Sequence, residues 1–87
     1  MRRSIDFHSP EPADVVVSSD GDDTPPVSWV VAISDDYEDA EPRVVVTIEE
    51  MGRAGLGLSA HLPPPVARRL RAAIRNALLE VGEDPGP

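Results

Sequence analysis

The side chains able to do chemistry in this chain are few and scattered. His8 and His61 are its two imidazoles, and no second histidine or carboxylate cluster stands near either at ligand spacing. A metal centre or a general acid–base pair needs groups that converge. With no cysteine, disulfides and thiolate ligands are excluded. Ser19-Asp20-Gly21-Asp22-Asp23 looks like a fragment of a calcium loop, but the alternating ligand positions and the distant bidentate glutamate are missing. Turn chemistry accounts for these residues, and a solvated loop is expected there. No nucleophile elbow or phosphate-binding glycine loop is present. The expectation is therefore a protein that is not an enzyme and uses no cofactor or metal. His61 is expected to be a sheet-surface histidine.

Two charged stretches remain as contact surfaces. Asp35-Asp36-Tyr37-Glu38-Asp39-Ala40-Glu41-Pro42 holds five carboxylates in seven positions. Mutual repulsion predicts an exposed, mobile loop. Tyr37, Asp36, Glu38 and Asp39 could dock a basic partner, with the ring as anchor. The second stretch is a C-terminal helix in which Arg68, Arg71 and Arg75 form one row, with Arg69 nearby and Leu79 among them. A solvated face is one reading of this row; a surface for phosphate or a carboxylate-rich partner is the other.

The elements that must carry these residues follow from periodicity. Val27, Trp29, Val31 and Ile33 alternate with Ser28, Val30, Ala32 and Ser34, which predicts a strand over 27–34. Val44, Val46 and Ile48 alternate with Val45, Thr47 and Glu49, which predicts a second over 43–50. After a glycine-containing turn at 51–55, Leu56, Leu58, Ala60 and Leu62 alternate with Gly57, Ser59 and His61, giving a third strand that pairs with the second as a hairpin. Asp14–Ser18 is a shorter candidate, and Ile5 and Phe7 suggest an arm or edge strand within 1–13. Pro63-Pro64-Pro65 ends the third strand and opens a helix. Val66, Leu70, Ala73, Ile74, Ala77, Leu78 and Val81 form its apolar stripe, Gly82 stops it, and 83–87 reads as a flexible tail.

Together these elements predict one small α+β domain over 1–87: an antiparallel sheet of three or four strands packed on one C-terminal helix. The stripe is expected to close a dry interior with Trp29, Ile48 and Leu58. The other sheet face, with Val30, Ala32, Val45, Thr47 and His61, is left uncovered and becomes the candidate dimer face. Size supports self-association, because 87 residues without disulfide or metal build a small core. Sixteen acidic residues against eight arginines give a net charge of −8, which opposes general nucleic-acid affinity and suits a basic partner. No signal-peptide or membrane-spanning run is visible, so a cytoplasmic protein off the membrane is expected.

Leu58-Ser59-Ala60-His61-Leu62-Pro63-Pro64-Pro65-Val66-Ala67-Arg68-Arg69-Leu70-Arg71-Ala72-Ala73-Ile74 resembles a pattern of small uncharacterised actinobacterial and actinophage proteins. There a strand ends in a Ser/Thr-Pro cap and enters a helix reading Ala-Arg-x-Leu; here Pro63 stands at the cap position. The resemblance covers the last third of the chain and implies a genomic neighbourhood without an activity. Three strands followed by a helix also resemble small domains that read DNA with a sheet, but those place basic residues on the sheet, where this chain offers only Arg43 and Arg53. The leading expectation is an acidic protein-interaction module, such as a phage or accessory protein that modulates a host protein, acting as a homodimer. The alternatives are nucleic-acid binding through the arginine face and an acidic mimic of DNA.

Overall fold

Alternation in the middle of the sequence becomes three adjacent strands. The computed structural model describes residues 1–9, 16–17, 23–24, 26–50 and 56–87. In chain order the elements are β1 (Arg2–His8), β2 (Val16–Val17), β3 (Asp23–Thr24), β4 (Val27–Ser34), β5 (Arg43–Glu50), β6 (Leu58–Leu62) and α1 (Pro64–Glu80). A four-stranded antiparallel sheet has the order β1-β4-β5-β6, and β2 and β3 form a separate two-stranded ladder. The α+β fold expected from the sequence is present, and the N-terminal arm is its fourth strand. The expected strand over 14–18 is described only at Val16–Val17. The calcium-like positions 19–22, the turn at 51–55 and Arg53 lie outside the described residues.

Register fixes two faces. On one, Trp29 pairs with Ile48, Val31 with Val46 and Ile33 with Val44; β6 adds Leu58, Ala60 and Leu62 opposite Ile48, Val46 and Val44. On the other, Val30 pairs with Thr47, Ala32 with Val45 and Ser34 with Arg43, with Ser59 and His61 from β6. Helix α1 crosses the first of these, called here the helix face. β1 joins the β4 edge with a register shift between Ser4 and Asp6, so Ile5 falls in a bulge and Phe7 pairs with Val30. His8 stacks on Trp29, with ring centroids 5.6 Å apart and planes 18° from parallel. At the other edge Gly57 lies so close to β5 that a β-carbon there would come within 2.8 Å of the Ile48 carbonyl oxygen. Any larger residue has to push the strands apart.

Helix α1 starts without a capping side chain, as the Pro63 position implies. The Pro63 carbonyl accepts from the Val66 and Ala67 amides at 3.0 Å. The helix ends on Gly82, whose φ is +80°. The Gly82 amide donates to the Leu79 carbonyl and the Glu83 amide to the Leu78 carbonyl, at 3.1 and 2.9 Å. This is the Schellman arrangement, which needs a left-handed residue where the chain leaves the helix.

The expected dry interior under α1 is not closed. None of the described residues of α1 is buried. Ile48 is 49% exposed, Leu58 82% and Leu70 41%. The helix lies over β5 and β6, and several of its inward residues are alanines, whose short side chains fill little of the space between helix and sheet.

Candidate interaction surface

The helix face is where apolar side chains meet solvent. Two clefts flank α1. One, of about 290 Å³, runs between α1 and the β4–β5 side; Val31 and Val44 form its floor, and Leu70, Ile74 and Leu78 its wall. Arg71 and Arg75 stand at its rim. Pro85 and Pro87 line it too, so the segment 83–87 expected to be a free tail turns back onto the fold. The other cleft, of about 620 Å³, opens at the β6 side between Ile48, Leu58 and Ala60 below and Val66 and Ala73 above, with Arg69 beside them.

Arg71 and Arg75 stand at the margin of the stripe, beside Ile74 and Leu78. A residue turns about 100° per step around a helix, so Arg68 falls about 20° from Arg75 and Leu79 about 40° from it. Leu79 is grouped with Asn76 and Glu80. The candidate contact set Arg68, Arg71, Arg75 and Leu79 is exposed and spans about 80° of the helix surface, with Arg71 and Arg75 at its apolar margin.

The opposite face corrects a second expectation. Ala32 is 2% exposed and Val45 1%, so two of the five candidate dimer-face residues are the most buried apolar residues described. Val30 and Thr47 are half-buried. Thr47 and Ser59 share a hydroxyl hydrogen bond of 2.7 Å across β5 and β6. His61 is exposed, but its Nδ1 lies 2.8 Å from the Tyr37 hydroxyl, and the two rings meet edge to face. The loop after β4 folds back over this end of the sheet, where Tyr37 meets His61 and Arg43.

That loop is held by cations, and this outweighs the repulsion expected among its carboxylates. Arg43 donates from Nη1 and Nη2 to the two carboxylate oxygens of Asp39 at 2.6 and 2.7 Å, and from Nη1 to the Glu41 carbonyl at 2.9 Å. Its guanidinium carbon sits 4.7 Å from the centre of the Tyr37 ring. The bidentate pair holds the Asp39 carboxyl down at about 2 and raises the Arg43 guanidinium. At the other end of the loop the Met1 ammonium donates to Asp35 and Asp36 at 2.5 and 2.6 Å. The Asp35 contact, the larger of the two effects, raises the amine, and the amine lowers the Asp35 carboxyl in return. Ala40 takes a positive φ of 55° to complete the turn. Of the proposed docking residues, Asp36 and Asp39 are thus engaged internally, Tyr37 is half-buried against His61 and Arg43, and Glu38 is exposed.

The Asp39–Arg43 spacing of four residues was a readable signal for this cluster. Nothing local in the sequence points to the pairing of Tyr37 with His61 or of the terminal amine with Asp35, because both join distant segments. Among the described residues no group of histidines and carboxylates is arranged to hold a metal ion, and no helix is long and apolar enough to cross a membrane. No protein-family model matches the chain, and neither a curated protein nor a solved structure matches it.

Proposed function

We propose that this chain is a protein-interaction module that receives an apolar segment of another protein in the cleft between α1 and the β4–β5 side of the sheet. One observation carries the reading: an amphipathic helix is aimed at an apolar sheet face without closing on it, so Leu70 and Ile74 stay accessible beside Val31 and Val44. Arg71 and Arg75 at the rim add a preference for carboxylates flanking the apolar segment. A phage or accessory protein that modulates a host factor is a role of this kind. The apolar cleft beside Arg71 and Arg75 favours this reading over its alternatives, nucleic-acid binding through the arginine face and an acidic mimic of DNA.

A photo-crosslinking side chain placed at Ile74, compared with one at Leu79 on the far side of α1, tests this reading. A discrete protein adduct from source-cell extract at position 74 only, weakened at least tenfold by Arg71→Glu with Arg75→Glu, is expected. Equal labelling at both positions, or no adduct, overturns it.

A further inference from the structure

One segment of the chain already sits in the cleft beside Arg71 and Arg75. Helix α1 stops at Gly82, and the left-handed turn there sends the chain back over its own last turns. The Gly86 amide then donates to the Asp84 carboxylate at 2.9 Å, and Gly86 takes a φ of +78°. Asp84-Pro85-Gly86 has the residues of a type II turn, with proline second and glycine third. Pro85 and Pro87 both line the cleft, where Ile74 and Leu78 form the wall and Val44 the floor. Within 82–87, Pro85 is the one residue that is not exposed.

We propose that 83–87 is an internal occupant of this cleft, and that the partner docking there carries the same chemistry: a proline-containing turn beside carboxylates. The proposal rests on the reading of the cleft as a contact surface and names what that surface takes. Three features of the segment match the cleft. Proline rings are compact and apolar, and they have little side-chain entropy to lose when seated. Glu83 and Asp84 stand just before the prolines, and Arg71 and Arg75 border the cleft that receives them, so the charges are complementary. The turn is fixed by its own hydrogen bond and by the proline ring, so little backbone freedom remains to be lost.

The segment therefore acts as a strap. Tethered to the end of α1 by a few residues, it competes for the cleft at an effective concentration of about millimolar. A partner has to displace it, and its apparent affinity falls by the fraction of time the strap is seated. While the strap is in place, Val44 and Leu78 stay half-buried.

The sequence contains no cysteine, so one introduced thiol reports cover at one place. In the full chain, Val44→Cys puts it on the cleft floor and Val30→Cys on the other face of the sheet, both at half-buried positions. Adding Pro85→Gly with Pro87→Gly is expected to speed alkylation of the Val44→Cys thiol at least fivefold and to leave the Val30→Cys thiol unchanged. The free peptide Glu-Asp-Pro-Gly-Pro, blocked at both ends and supplied at several millimolar to match the tethered segment, is then expected to slow the Val44→Cys thiol again. The peptide Glu-Asp-Gly-Gly-Gly is expected to leave it fast. Equal rates with and without the two prolines, faster alkylation at both thiols, or protection by neither peptide or by both alike overturns the proposal. The Ile74 crosslink separates the strap from the docking reading. Pro85→Gly with Pro87→Gly is expected to raise that adduct at least fivefold, and an adduct of unchanged yield removes only the strap. Thiol rates and peptide protection as expected, in a chain that gives no adduct, remove only the docking reading.

Discussion

The two faces of one sheet have opposite fates in this protein. The face carrying Ala32 and Val45 is polar in much of its sequence, yet it holds the buried centre. The face carrying Ile48, Leu58 and Leu62 is the more apolar, yet much of it meets water. The first is short of hydrophobic area but rich in local devices: a folded-over loop, a bidentate ion pair, a hydroxyl pair and an aromatic contact. The second depends on a single helix, none of whose described residues is buried. Apolar pattern along a strand therefore tells which face seeks cover and not which face obtains it within one chain.

The sharpest way to break this comparison is to put the same charge on each face. Val45→Glu buries a carboxylate without a partner and is expected to cost about 3 kcal/mol or more, enough to abolish cooperative urea unfolding followed by circular dichroism. Leu58→Glu leaves that transition in place. Equal loss from both substitutions would show that the faces do not differ as described. A smaller effect is expected of Leu70→Ala. A fully buried leucine loses about 2–5 kcal/mol on this change; half-exposed Leu70 should lose about 1 kcal/mol. A cost that grows with protein concentration in urea melts would show that association covers it.

The smallest effect belongs to the loop. The folded value of Asp39, about 2, lies below its ordinary value of 3.8. A carboxyl depressed on folding contributes stability that is complete above its unfolded value and disappears as the pH falls through its folded value. The contribution of Asp39 should therefore be present above about pH 4 and gone near pH 2. Because the pair is exposed, only a slight shift of the acid transition is expected of Asp39→Asn. Carbon-13 titration of the carboxyl should show it moving back up toward 3.8 in the chain with Arg43→Gln.

Much of the fold was legible because strands and helices announce themselves by local period. Alternation set the two faces of β4, β5 and β6, and three prolines and a glycine bounded α1. Burial was less legible, since it is decided by what crosses over each face. Val45 and Ile48 are close in one strand with similar side chains, and nothing in the run Val44–Glu50 ranks them. They lie on opposite faces of the sheet, and how far each face is covered is decided by segments distant in the chain. For the same reason the arginine row could be placed on α1 from its spacing, while which of its members stand at the cleft rim depended on how the helix sits on the sheet.

Trp29 is the sole tryptophan of the chain, and its ring lies flat against an imidazole of the neighbouring strand. The molecule thus carries one built-in fluorophore at the seam between β4 and β1. Emission from that single indole follows whether the first strand is seated or has peeled away, so optical spectroscopy can watch this edge without any label.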